Sequence, residues 1–91
     1  MYNTYEMTAI YDSRKSFYGK AHIIEFMGRK ILESYNTRVC EIDASGAFHR
    51  YWSGESATTM RHVNEFIRQN GISGGGVSWW REQPVERLAM I

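Results

Sequence analysis

The chain has one cysteine and one proline among 91 residues. The lone thiol, Cys40, excludes an internal disulfide and any paired-cysteine metal motif, and it fits a reducing compartment. No apolar run approaches the roughly 18 residues of a membrane-spanning helix. No charged segment leads into an apolar stretch of the secretory kind. A soluble chain in the cytoplasm is therefore expected. Net charge is almost missing too: 11 basic against 10 acidic residues leave +1. That is too little for a strongly basic nucleic-acid coat or for an acidic decoy. Linker composition, repeats and low-complexity tracts are lacking, so a single domain over residues 1–91 is expected.

What is plentiful is aromatic: six Tyr, four Phe and three Trp. Tyr5, Met7, Ala9 and Tyr11 alternate at period two, which predicts an N-terminal strand over 1–12. Residues 12–16 are polar and turn-like. Residues 20–52 then read as antiparallel strands at 20–27, 30–35, 37–43 and 47–52. Gly28-Arg29 and Ala44-Ser45-Gly46 supply hairpin turns. The period changes after Gly54. Met60, Val63, Phe66 and Ile67 share one helical face, while Arg61, Glu65 and Arg68 fall opposite. Ser56 before this run is an N-cap, and Gly71 after it a C-terminal stop, predicting a helix over 57–70. Residues 72–76 read as a flexible loop. Ser78 caps a short turn over 79–83 that Pro84 ends, and 85–91 is a frayed tail. The expected fold is α+β: a meander of four to five strands, one main helix on a face, and a short C-terminal helical turn. Tyr5, Tyr11, Phe26, Phe48 and Phe66 are its expected aromatic core.

Two stretches hold residues that no periodicity requires. Arg14, Lys15 and Lys20 surround Phe17 and Tyr18 in a polar loop with Asp12 as its one acid. Basic residues interleaved with rings are what single-stranded nucleic acid binds through phosphate pairing and stacking. Trp79-Trp80-Arg81 follows a triple glycine, and neighbouring residues of a helix or strand do not share a face. One indole can therefore plug the core while the other fills a partner's pocket beside Arg81. The bland alternative is that both are core. If Trp80 is the exposed ring, Trp80→Ala removes partner binding at little cost in stability. Arg14, Lys15, Phe17, Tyr18, Lys20, Trp79, Trp80 and Arg81 are thus the candidate partner contacts.

Other constellations read as ordinary structure. His22, His49, His62 and Cys40 lack metal-ligand spacing. Ser56, His62 and Glu65 hint at a hydrolase, but Ser56 has a capping role and no nucleophile-elbow motif exists. Residues 72–78 are glycine-rich without the lysine and hydroxyl of a phosphate loop. No catalytic set, metal or cofactor is expected.

Three strings, SFYGKA at 16–21, SYNTRVCEI at 34–42 and GESATTMRHVNEFIRQNG at 54–71, resemble a family of domains of unknown function. Its members are short proteins of Firmicutes phages, plasmids and gut mobile elements. The resemblance spans roughly residues 13–84 and implies a stand-alone accessory protein of a mobile element in a bacterial cytoplasm. It carries no reaction and no site residues. The leading expectation is a non-enzymatic, anti-CRISPR-like inhibitor that contacts a host defence complex, protein to protein. The alternative is a nucleic-acid-binding accessory protein using the basic and aromatic residues. A nucleotide sponge or enzyme comes third and needs a pocket at the glycine loop. Open strand edges leave a homodimer possible.

Overall fold

Tight turns set the architecture of the computed structural model, which describes residues 2–88. Met27 and Gly28 both take positive φ, 50° and 80°, and join Phe26 to its partner Arg29. Such a primed turn matches the right-handed twist of the flanking strands. The turn therefore lies one residue earlier than Gly28-Arg29, and Arg29 opens the next strand. Tyr35-Asn36 makes the second two-residue turn, between Ser34 and Thr37. In the third, Asp43 Oδ1 accepts from the backbone N–H of Ser45 and of Ala47 at 2.9 and 3.0 Å.

These turns string β1 (Asn3–Glu6), β2 (Ala21–Phe26), β3 (Arg29–Ser34), β4 (Thr37–Ile42) and β5 (Phe48–Arg50) into one antiparallel meander in chain order. Two helices follow, α1 (Ala57–Gln69) and α2 (Gly76–Glu82). The fold is α+β, as the patterning predicts. The hydroxyl of Ser56 caps α1 by accepting from Thr59 N at 3.4 Å.

The core lies between the sheet and α1. Ile23, Leu32 and Cys40 pair across three strands and, with Ala21 and Ile42, meet Met60, Val63, Phe66 and Ile67. Burial pushes the Cys40 thiol well above its ordinary range, so it is an inert core group. The opposite face has a smaller buried patch, Ile24 and Ile31, next to Glu41. Burial would raise the Glu41 pKa. A bidentate Arg29 at 2.5 and 2.8 Å and the Tyr51 hydroxyl outweigh that, and the carboxylate stays charged.

Several aromatic expectations fail, that for Tyr5 for a geometric reason. A helix is roughly 10–12 Å across, whereas five strands at about 4.8 Å spacing span about 19 Å. Helix α1 lies over β3 and leaves the β1 edge uncovered. Tyr5 is therefore exposed, its hydroxyl donating to Glu25; Tyr11 lies beyond β1, bonded to α1 through its backbone, and is exposed under the Arg68 guanidinium. Neither belongs to the core. Phe26 is half-buried on the outer face against Tyr2, and Phe48 is half-buried at the core margin. Phe66 is buried as expected.

The C-terminal third departs most. Helix α2 starts at Gly76, so Ser78 lies inside it and caps nothing; Asn64 Oδ1 of α1 accepts from Gly76 N instead. The triple glycine is a fitted surface and not a flexible loop. A Cβ on Gly74 would come within 2.3 Å of the Trp79 indole. Trp80 is fully buried, donates to Gly54 O at 2.7 Å, and stacks under Arg50 at 4.5 Å. The buried Arg50 guanidinium donates to the carbonyls of Trp52, Ser53, Trp80 and Gln83. Residues 85 and 86 are held against β5. Val85 bridges to Arg50, and Glu86 N donates to Arg50 O at 2.7 Å. His49 then bonds Asp43 at 2.7 Å and Glu86 at 3.0 Å. Residue 1 of the expected first strand and residues 89–91 of the expected tail lie outside the described residues.

Trp80→Ala is accordingly expected to lower stability by about 3–5 kcal/mol, as much as Phe66→Ala, because each truncation leaves a core cavity; urea unfolding of both variants checks this. The Asp43 hydrogen bond and Glu86 hold the His49 pKa above its ordinary value, against an opposing effect of burial. The clasp on residues 85–86 is thus whole below about pH 6.5 and weakens as pH rises through the folded His49 value. An NMR titration is expected to place the His49 midpoint above 6.5, and lower in Glu86→Gln.

Candidate functional site

The segment between β1 and β2 crosses over α1 because one carboxylate holds it there. Glu65 accepts from three successive backbone N–H groups, Ile10 at 3.0 Å, Tyr11 at 3.0 Å and Asp12 at 2.7 Å. Gln69 donates to Glu65 and also to Thr8 O, both at 2.6 Å. Burial would raise the Glu65 pKa, but Gln69 and the three N–H groups hold it below the ordinary range. Helical periodicity puts Glu65 on the solvent side. The crossing segment buries it instead.

From this anchor the chain lays down its next contacts. Asp12 pairs with Arg61 at 2.5 Å and caps Arg14 N. Phe17 turns inward and lies edge-on to His62, ring centres 4.7 Å apart. Tyr18 adopts φ 53°, a left-handed conformation that side chains seldom take outside constrained sites. Three hydrogen bonds donated by backbone amides secure this corner. Lys20 N donates to Phe17 O at 3.0 Å, Tyr35 N to Lys20 O at 2.7 Å, and Gly19 N to the Glu6 carboxylate at 2.9 Å.

Between this corner and α1 lies a cavity of about 240 Å³. Arg14, Lys20 and Arg61 bring positive charge to its lining; Phe17, Tyr18, Tyr35 and His62 bring rings; Ser16 and Thr58 bring hydroxyls. No carboxylate is among these nine residues. His62 shares a 2.7 Å hydrogen bond through Nδ1 with Ser34 Oγ, which also bonds Thr59 Oγ1 at 3.1 Å. Burial pushes the His62 pKa below its ordinary range, so the ring is neutral at pH 7.

The candidate contacts divide between two places. Arg14, Phe17, Tyr18 and Lys20 meet at this cavity, and Lys15 is exposed on the same loop. Phe17 is a wall and not a surface ring, being 4% exposed. Trp79, Trp80 and Arg81 stand apart. Trp79 is half-buried against Phe48, Trp80 is core, and Arg81 is paired with Glu55 at 2.5 Å. Tyr35, Thr58, Arg61 and His62 belong to the site without having been singled out for it. Only the fold brings the β3–β4 turn and the first turns of α1 to the loop.

The hydrolase-like set does not assemble. Ser56 caps the helix, His62 bonds Ser34, and Glu65 holds backbone. Among the described residues no three His, Cys, Asp or Glu side chains gather as a metal site, and no helix is long and apolar enough to cross a membrane. The glycine segment borders an opening of about 410 Å³ with Asn64 and Arg68, where Asn64 already occupies Gly76 N.

Residues 5–82 match the family of unknown function DUF8033. The chain belongs to that family. The matched span takes in the whole loop, the β3–β4 turn, α1 and α2, and so every residue of the cavity. No curated protein and no solved structure matches the chain.

Because Glu65 positions the loop, Glu65→Gln is expected to cost about 1.5–3 kcal/mol at pH 7, the worth of hydrogen bonds to a charged group. A carboxylate with a depressed folded pKa stabilises above its unfolded value and loses that contribution as pH falls. Urea unfolding at pH 7 and pH 3 is thus expected to show a difference between wild type and variant that shrinks with acid.

Proposed function

We propose that this protein is a small non-enzymatic binding protein that holds single-stranded nucleic acid on the face formed by residues 14–20, Tyr35 and the first turns of α1. In the same proposal it serves a phage or mobile element in a bacterial cytoplasm, as its sequence resemblance implies. One observation carries the reading. Among the described residues Arg14, Lys15 and Lys20 form no ion pair and gather in one loop, whereas Arg29, Arg61 and Arg81 are each paired with a carboxylate. The other unpaired cations, Lys30, Arg38, Arg50, Arg68 and Arg87, are spread along the chain. The chain is nearly neutral, so its uncompensated positive charge within one loop matters more than the total. Tyr18 and Tyr35 are exposed beside it, 76% and 48%. Strand binding draws on both features, counterion release by the cations and stacking by the rings.

This ordering reverses the expectation drawn from sequence. The inhibitor reading rests on size, aromatic richness and resemblance, and among its candidate contacts are Phe17, Trp80 and Arg81. Two of these are buried and the third is paired. One feature still favours protein contact, the uncovered β1 edge. There Tyr2 and Tyr5 remain exposed, and an open strand edge accepts another chain. A counter-defence inhibitor working through that edge is the second reading.

Fluorescence anisotropy with a labelled oligothymidine tests the first reading. Neutralising about three phosphates predicts a slope near −2 for log affinity against log salt. Arg14→Ala, Lys15→Ala and Lys20→Ala combined are expected to flatten that slope and weaken binding. No binding at low salt overturns the proposal and leaves the edge reading.

A further inference from the structure

We infer that the cavity beside residues 14–20 is a specificity pocket for one nucleotide unit, taking an unstacked base against its rings and the attached phosphate on Arg14 and Lys20. This rests on the nucleic-acid reading for its charge complementarity and adds where a strand is gripped and by which part.

The charge is directional. Arg61 is neutralised by Asp12, so Arg14 and Lys20 are the lining cations without an ion pair. Two acids touch the loop, and both are engaged: Asp12 accepts from Arg14 N and pairs with Arg61, and Glu6 accepts from Gly19 N. A phosphate at the mouth thus meets Lys20 and Arg14, neither in an ion pair among the described residues although Asp12 feels the Arg14 charge, and no lining carboxylate.

The walls suit a flat, neutral ring. Phe17 stands edge-on to His62, and Tyr35 lies tilted to it at 6.0 Å. Lys20 Nζ reaches over Tyr35 at 5.9 Å, which holds a cation at the rim of the aromatic wall. His62 adds a polar position. Its Nδ1 is taken by Ser34, and Nε2 has no protein partner among the described residues. His62 is 1% exposed and lines the cavity. A neutral imidazole nitrogen offers one donor or acceptor to a base edge, whereas a phosphate prefers the cations at the rim. At about 240 Å³ the cavity falls below the roughly 300–1,000 Å³ of ordinary ligand pockets. That is room for a single unit. The lip is built in advance, because Tyr18 holds its left-handed backbone between the bonded Phe17 and Gly19, and preorganisation lowers the entropic cost of binding.

NMR of the His62 and Tyr35 rings reads the pocket directly, with inorganic phosphate, a nucleoside 5′-monophosphate and oligothymidine as probes. Thr58→Trp, an exposed change at the mouth, blocks the cavity without touching the core, and its fold is checked by circular dichroism. The monophosphate is expected to shift both rings, and inorganic phosphate neither. Thr58→Trp is expected to weaken oligothymidine about tenfold, the effect of losing one stacked base. Strand binding that survives Thr58→Trp, with rings unmoved by the monophosphate, overturns the pocket and leaves the strand reading standing. Equal shifts from phosphate and monophosphate overturn base recognition. A monophosphate that binds where no strand competes upholds the pocket for a free nucleotide and overturns the strand reading. No response to any probe overturns both.

Discussion

The candidate face depends on one carboxylate. Glu65 sits on the main helix yet bonds three consecutive backbone amides of a segment more than fifty residues earlier. A single buried acceptor thereby does for that segment what a neighbouring strand does for a sheet, satisfying N–H groups that burial would otherwise leave costly. Once residues 10–12 are held, Asp12 reaches Arg61, Phe17 drops against His62, and the three cations of the loop are displayed outward.

Arg50 performs the matching task at the other end of the sheet. Its guanidinium is buried, bonds four carbonyls and covers the Trp80 indole. It is an organiser of loop 52–54, α2 and the following segment, which otherwise have little regular structure to hold them. Both ends therefore rely on a buried ion whose bonds go mainly to backbone. Such an ion is stable only when fully bonded. That requirement explains why charged residues of ordinary appearance in the sequence prove central to the packing.

Local patterning was enough for the meander, the main helix, its cap at Ser56 and the apolar face of Met60, Val63, Phe66 and Ile67, because these follow from side-chain period and backbone propensity. It failed where a residue's environment came from elsewhere in the chain. Tyr5 keeps strand periodicity but lies on an edge the helix does not reach. Phe17 lies in an irregular loop and is buried because that loop is tied to α1. Ser78 has the chemistry of a cap, but the glycines before it let α2 begin three residues sooner, at Gly76 and not at Trp79. The loop half of the site was visible as cations among rings, while Tyr35, Thr58, Arg61 and His62 carried no such signal.

By itself, then, the sequence determined the α+β class, the strand order and the near-neutral charge, all of which depend on neighbours close in the chain or on composition alone. Tertiary structure decided which aromatics face solvent, which cations stay unpaired and where a cavity opens. Those outcomes rest on contacts such as Glu65 with residues 10–12 and Arg81 with Glu55. Exposure and pairing are properties of residues brought together across long stretches of chain, and no local period records which ones will meet.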